Sequence, residues 1–320
     1  MNIVFFGSGE FGLPTLKALS AAHTVRAVVT QPDRPAGRSR QLTPTPIGLW
    51  ASEHLPCVAL LKPEKVNEPE VLSRVRAFAA DAWVVIAFGQ KLSPALLADR
   101  FAVNLHASLL PRWRGAAPIN HAVLAGDAET GNSVITLADR MDAGLVLGQS
   151  RRRVLDLLTA GELHDKLAED GPALVLDVLS RHAAGTLTPV TQDESRVTLA
   201  GKLSRADGWV DFTDDAEACR RRINGLNPWP GLAANLNGVE LKLLKALAER
   251  DAGDRPVCHS GSALPGEVID RDQGLIACGE ATILRLLEVQ PAGKKPMAWH
   301  SFVMGNPVSV GDRLLCNSHS

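Results

Sequence analysis

Short apolar runs alternate with segments of helical periodicity over roughly the first 190 residues of the chain. The apolar runs are typical of strands buried on both faces of a sheet, and they occupy residues 2–6, 25–30, 83–87, 102–105 and 133–137. Helices are predicted between and after them, over residues 14–20, 47–54, 69–78, from the capping pair Ser93-Pro94, from the capping box Thr159 and Glu162, and over 174–182. This alternation predicts an α/β domain with a mostly parallel, Rossmann-like sheet.

The pattern changes in the last third of the chain. Gly, Asn and Asp turn signals separate short apolar stretches at residues 232–236, 240–246, 266–270, 274–278, 281–289 and 312–316. Closely spaced short strands of this kind are typical of a small β-barrel, and an OB-like barrel is the natural candidate. Because periodicity weakens over residues 186–204, we predict an α/β domain at 1–188, a linker at 189–205 and a β-barrel domain at 206–320.

Composition and charge exclude several classes of protein. The chain has 45% hydrophobic and 22% charged residues, as an ordinary soluble protein does, and it lacks an apolar run long enough to cross a membrane. Five scattered cysteines without metal-ligand spacing, and a strand that starts at once, favour the reducing cytoplasm. The net charge of −1 means that any nucleic acid must be bound through local basic patches.

Candidate chemistry lies at the end of the apolar run 102–105. Asn104 and His106 are two residues apart, so on a strand their side chains point to the same side. The amide can donate to a developing oxyanion, and the imidazole can move a proton near neutral pH. Asp142 follows the next strand, and Gly144 allows a turn that would bring its carboxylate beside His106 and fix the tautomer. A satisfied core histidine and a turn aspartate are the alternative interpretations.

A glycine motif near the start of the chain is typical of a different class of protein, the dinucleotide-binding enzymes. Residues 7–12 match G-x-G-x-x-G between a strand and a helix, which is the context of a dinucleotide fingerprint. The following strand ends in Thr30-Gln31 without the acidic residue that such sites use. An NAD-dependent oxidoreductase therefore stays open as an alternative, and we expect the protein to bind neither NAD nor NADP.

Residues 104–119, Asn-x-His followed by Ser-Leu-Leu-Pro-Arg-Trp-Arg-Gly-Ala-Ala-Pro-Ile, resemble the signature segment of the methionyl-tRNA formyltransferase family, and residues 131–144 resemble a second signature of the folate-dependent formyltransferases. The resemblance implies the formyltransferase fold, a C-terminal barrel that holds tRNA, 10-formyltetrahydrofolate as formyl donor and initiator Met-tRNA as acceptor. It makes Asn104, His106 and Asp142 the catalytic residues and requires no metal. One departure is Gly-Ser-Gly at residues 7–9, where the family has Gly-Thr-Pro.

The resemblance also implies binding residues. Folate would contact Phe88, Gly89, Gln90, Ser108, Leu109, Leu110 and Pro111. The tRNA would contact two basic loops, through Arg34, Arg38, Arg40, Lys294 and Lys295. Lysines on a barrel loop suit phosphate contacts, whereas Arg220–Arg222 could be a further contact or a solvated helix face. We expect a cytoplasmic monomer without membrane contact. The alternatives are a formyltransferase for a small amine or amino sugar nucleotide, and a non-catalytic RNA-binding module.

Overall fold

The computed structural model describes residues 1–36, 41–249 and 263–316, which form two compact units. The first unit comprises Met1–Gly115, Thr130–Arg152 and His164–Leu199, and the second comprises Ala116–Glu129, Arg153–Leu163 and Ala200–Ser320. Each helix within the described ranges is either too short or too polar to cross a membrane.

Most strands are short. In chain order they are β1 (Asn2–Gly7), β2 (Thr24–Val29), β3 (Arg34–Ala36), β4 (Gln41–Thr43), β5 (Ala59–Leu61), β6 (Ala82–Ile86), β7 (Ala102–His106), β8 (Arg114–Gly115), β9 (Glu129–Thr136), β10 (Val146–Arg153), β11 (Leu199–Ala200), β12 (Ala233–Leu236), β13 (Val239–Ala248), β14 (Val268–Asp270), β15 (Leu275–Ala277), β16 (Ile283–Pro291), β17 (Met297–Ala298) and β18 (Leu314–Cys316). The helices are α1 (Leu13–Ala22), α2 (Pro46–His54), α3 (Pro69–Arg76), α4 (Pro94–Leu97), α5 (Pro118–Ala125), α6 (Ala160–Ala183), α7 (Ala216–Gly225) and α8 (Trp299–Gly305).

The first unit is built on a seven-stranded sheet of order β10-β9-β7-β6-β1-β2-β5. Strands β5, β2, β1, β6 and β7 are parallel, and β9 runs antiparallel to β7. Every residue of β6 is buried, which explains its continuous apolar sequence. Phe6 and Trp83 pack ring to ring in the core of this unit, with centroids 5.2 Å apart. The predicted mostly parallel α/β sheet is confirmed.

Helix α6 differs from the two helices predicted for this region. It runs without interruption from Ala160 to Ala183 and contains Pro172. The preceding Gly171 has a packing reason, because a Cβ at this position would lie 2.7 Å from the Leu105 side chain. Gly171 thus lets α6 approach Leu105 of β7 closely.

The second unit contains an antiparallel sheet of order β14-β15-β16-β13-β12-β18, with β17 paired to β16. Its two ends meet, because the Val268 amide donates to the Asp312 carbonyl and the Leu314 amide donates to the Gly266 carbonyl, both at 2.8 Å. Helix α7 packs on β13, and its Cys219 and Ile223 are fully buried in the barrel core. This closed arrangement confirms the predicted OB-like domain.

Candidate active site

Strand β7 delivers Asn104 and His106 to one side of the sheet at its carboxyl end. The intervening Leu105 is buried, as are Val103 and most of the His106 ring. In register, Asn104 lies beside Val85 of β6 and opposite Ile135 of β9. Ligands of open α/β sheets bind beyond the carboxyl ends of the strands, so both side chains lie where such a ligand would be.

Two contacts fix the state of His106. Its Nε2 lies 2.8 Å from the carbonyl oxygen of Trp113. Because a carbonyl can only accept, Nε2 must carry the proton and donate, which leaves Nδ1 as the basic nitrogen. Nδ1 lies 3.6 Å from Oδ2 of Asp142. A proton taken up at Nδ1 would therefore form an ion pair with a carboxylate that is already in place.

Asp142 is held by the backbone around it. Its Oδ2 accepts a hydrogen bond of 3.0 Å from the Gly115 amide, and its own φ of +52° lies in the left-handed region. The turn that carries it needs Gly144, because a Cβ there would lie 1.7 Å from the Thr136 carbonyl oxygen. The glycine after the strand thus allows a close backbone approach to β9, and the Asp142 carboxylate lies 3.6 Å from the His106 ring.

Asn104 differs from its neighbours in having uncommitted hydrogen-bonding groups. Its side chain is partly buried, and within the described ranges its amide forms no hydrogen bond to protein. A partly buried amide on the same side as His106 is thus available to donate to a substrate oxygen.

Side chains of β9, of β10 and of the loop itself form hydrogen bonds to the backbone of the loop after β7. Ser133 Oγ donates to the Ser108 carbonyl at 2.6 Å and accepts from the Leu110 amide at 3.0 Å. Gln149 donates to the Leu110 carbonyl at 2.9 Å, and buried Ser108 donates to the Arg112 carbonyl at 2.6 Å. Of the predicted folate residues here, Ser108 and Leu110 are buried and Leu109 and Pro111 are partly exposed. A rigid loop therefore borders the His106 side chain.

The other predicted folate residues follow β6. Phe88 is buried against Phe6, Gly89 has φ of +85°, and Gln90 accepts from the Val66 amide at 2.7 Å. The Gln90 amide also donates to the Pro63 carbonyl at 3.1 Å, so this side chain is committed to an adjacent loop. The segment lies at the same sheet edge as His106, but the Gln90 amide is used in hydrogen bonds to the backbone of a neighbouring loop.

The first and last glycines of the motif at residues 7–12 have a packing explanation. A Cβ at Gly7 would lie 2.6 Å from the Phe5 ring, and one at Gly12 would lie 3.2 Å from it. Ser8 donates to the Phe88 carbonyl at 3.1 Å, and Gln31 donates to the same oxygen at 3.0 Å. The polar side chains of this turn and of the following strand end thus support the segment after β6.

The segment 189–205, predicted as a linker, supplies contacts that sequence reasoning missed. Gln192 donates to the carbonyls of Asp142 and Gly144 and accepts from Arg114. Hydrogen bonds from Arg114 and Arg140 lower the pKa of Glu194. Gln192 and Glu194 follow no helical or strand periodicity, so nothing in the sequence beyond their polar character indicated these contacts.

Those predicted tRNA contacts that the structure describes are exposed. Arg34 is exposed in β3 and pairs with Glu64, whereas Arg38 and Arg40 lie outside the described residues. Lys294 and Lys295 are exposed on the turn between β16 and β17.

The Arg220–Arg222 cluster has a structural explanation, and the interpretation as a solvated helix face is wrong. Arg220 is buried and makes two hydrogen bonds of 2.6 Å to Glu217. Arg222 donates to the Trp209 and Asp207 carbonyls and lies 3.7 Å from the Trp209 ring centroid. The three guanidinium groups are thus held by hydrogen bonds within the second unit, to the Glu217 carboxylate and to backbone carbonyls.

Among residues 1–36, 41–249 and 263–316, no three His, Cys, Asp or Glu side chains are grouped so that they could hold a metal ion.

Comparison with known proteins identifies the relatives of this chain. Residues 1–179 match the formyl transferase family, and residues 202–307 match the formyl transferase C-terminal domain. The chain is 43% identical to the methionyl-tRNA formyltransferase of Methylococcus capsulatus, over 98% of this chain and 99% of that protein, and 40% identical to that of Bdellovibrio bacteriovorus, over 98% of each. The fold is shared with the crystal structure of the N-formyltransferase from Helicobacter canadensis in complex with folinic acid and dTDP-3-aminofucose, with a TM-score of 0.63, 12% identity and coverage of 90% and 98%.

Proposed function

The chain belongs to the methionyl-tRNA formyltransferase family and transfers a formyl group to Met-tRNA, and we propose that Asn104, His106 and Asp142 catalyse this transfer from 10-formyltetrahydrofolate. The observation that carries the assignment is the tautomer of His106. Its Nε2 donates a hydrogen bond to the Trp113 carbonyl, and its Nδ1 faces Asp142. A base with one defined free nitrogen beside a carboxylate suits proton transfer.

The chemistry assigns a role to each side chain. The amino group of Met-tRNA attacks the formyl carbon, and the carbonyl oxygen becomes negative in the tetrahedral intermediate. The Asn104 amide donates to that oxygen. His106 takes the proton that the attacking nitrogen loses, Asp142 stabilises the imidazolium, and the proton passes to N10 of the folate as the C–N bond breaks. The transfer needs no covalent enzyme intermediate.

We propose the loop at 108–111 and the segment 88–90 as the folate site. Both border the strand ends that carry the catalytic side chains, and both present backbone groups fixed by internal hydrogen bonds. Folinic acid in the Helicobacter canadensis relative supports a folate as the donor. We further propose that Arg34, Arg38, Arg40, Lys294 and Lys295 contact the tRNA, and that the protein acts as a monomer.

One assay tests the proposed donor and acceptor together. The full chain should formylate Met-tRNA when supplied with 10-formyltetrahydrofolate, and it should leave free methionine unmodified. A dTDP-linked amino sugar is the matched rival acceptor, since the structural relative was solved with one. Faster formylation of the sugar than of Met-tRNA would overturn the proposed initiator-tRNA specificity.

A further inference from the structure

The Gln192 side chain forms three hydrogen bonds to residues next to the catalytic side chains. Its side chain is almost completely buried, with 7% of the residue surface exposed. The amide nitrogen donates to the carbonyl oxygens of Asp142 and Gly144, each at 2.8 Å, and the amide oxygen accepts from Arg114 Nε at 3.0 Å. Every hydrogen-bonding atom of this amide is therefore used, which requires both a two-hydrogen donor and an acceptor in one side chain.

The two donated bonds bracket the turn that carries Asp142. They fix the carbonyl of the residue that supplies the carboxylate and the carbonyl two residues later. The turn holds Asp142 at a φ of +52°, in the left-handed region that residues other than glycine adopt uncommonly. Gln192 supplies part of the restraint on this turn.

The accepted bond reaches the other half of the site. Arg114 is buried and lies between two residues whose backbone atoms hold the catalytic groups. The Trp113 carbonyl accepts from His106, and the Gly115 amide donates to Asp142. Through Arg114, Gln192 thus connects the turn of Asp142 to the segment that contacts both His106 and Asp142.

We propose that Gln192 is a positioning residue for formyl transfer, which sets the Asp142 carboxylate against His106 by clamping the two backbone segments that carry them. The inference rests on the proposed function. It gives the segment 189–205 a part in catalysis without any contact between Gln192 and substrate.

Steady-state kinetics of full-length Gln192→Glu and Gln192→Met test the proposal. The glutamate keeps the acceptor for Arg114 and loses both donors, whereas the methionine loses all three bonds. Because small misplacements of catalytic groups strongly slow enzymes, kcat for Met-tRNA should fall about 10-fold to 100-fold in both variants. KM for Met-tRNA and for 10-formyltetrahydrofolate should change less than about twofold, since every hydrogen-bonding atom of Gln192 is engaged by protein. Gln273→Glu, on an exposed turn of the second unit where its amide bonds to Asp270, is the matched control and should behave as the wild type.

A double-mutant cycle separates positioning from mere structural support. If Gln192 acts through Asp142, Gln192→Glu should reduce kcat little further in an Asp142→Asn background. Full additivity of the two losses would overturn the proposal. So would a lowered melting temperature with an unchanged kcat in the folded variants. If the wild-type chain itself fails to formylate Met-tRNA from 10-formyltetrahydrofolate, the proposed function fails instead, and the two failures cannot be confused.

Discussion

His106 donates a hydrogen bond to the carbonyl oxygen of Trp113, seven residues later in the chain, at 2.8 Å. This local bond closes the loop between β7 and β8 over the imidazole and decides which nitrogen is free to accept a proton. Trp113 holds its carbonyl there with a φ of +60°, and its amide donates to Thr198 Oγ1 at 2.9 Å. The base and the loop that surrounds it are thus one folded unit.

Removal of any catalytic side chain should slow the chemical step. Asn104→Ala, His106→Ala and Asp142→Ala should each lower kcat by about 10² to 10⁴ with little change in tRNA affinity, because each loses an interaction made to developing charge or to the moving proton. Single-turnover formylation measures the effect, with exposed His54→Ala as the control. A His106→Ala enzyme with near-normal turnover would contradict the assignment.

Substitution of Gly144 should damage both stability and activity. A methyl group there would lie 1.7 Å from the Thr136 carbonyl oxygen, so the turn of Asp142 cannot keep its geometry. We expect Gly144→Ala to lower the free energy of unfolding by about 2 kcal/mol or more. Urea denaturation measures the change. Gly305→Ala is the matched control, since a Cβ there meets no atom within 4 Å outside its own helix and chain neighbours, and equal losses in both variants would refute the steric argument.

The lysine turn of the barrel should contribute to salt-dependent tRNA binding. Lys294 and Lys295 are exposed, and removing one lysine–phosphate interaction should lower the slope of log K against log salt by about one. Replacing both by alanine should therefore weaken binding and flatten its salt dependence in a filter-binding titration. Replacing both by arginine keeps the charge and should preserve the slope. An unchanged slope in the alanine variant would exclude this turn from the interface.

An ion pair in the second unit should make its stability depend on pH. Burial opposes the charged form of Glu162, but hydrogen bonds from Lys245 and Thr159 outweigh it and lower the pKa of this carboxyl below its ordinary 4.5. A lowered carboxyl pKa stabilises the folded state above the unfolded pKa, and the contribution disappears as pH falls through the folded pKa.

Urea unfolding of Glu162→Gln tests this linkage. The variant should be less stable than the wild type at pH 7, and the difference should shrink steadily below about pH 4.5. Glu240→Gln, at an exposed carboxyl of the same unit, serves as the control. A gap that stays constant from pH 7 to pH 3 would show that the charge of Glu162 is not the stabilising element.

The sequence allowed the site to be predicted where a regular period links residues to geometry. Asn104 and His106 share a side because strands have a period of two, and the alternating apolar runs predicted the sheet that carries them. The role of Gln192 could not be predicted, because both of its donated hydrogen bonds go to backbone carbonyls about 50 residues away, and such bonds leave no pattern in side-chain types. Arg220 was misread because a run of charges predicts exposure unless the partner carbonyls are known. Two helices were predicted where the structure has the single helix α6, because the apolar periodicity was recognised only near its start and its end.

The closure of the barrel bears on how the protein is made. The second unit gathers α5, the segment Arg153–Leu163 and the barrel strands, and the Asn120 side chain of α5 donates to the Gly225 carbonyl of α7 at 2.7 Å. Its last strand, β18, pairs with β12 beside the contacts that join the ends of the sheet. A chain emerging from the ribosome cannot close this barrel until residues 312–316 have been synthesised. Helix α5 must therefore wait nearly 200 residues of synthesis for the barrel it belongs to, while the first unit already has its complete sequence once residue 199 has emerged.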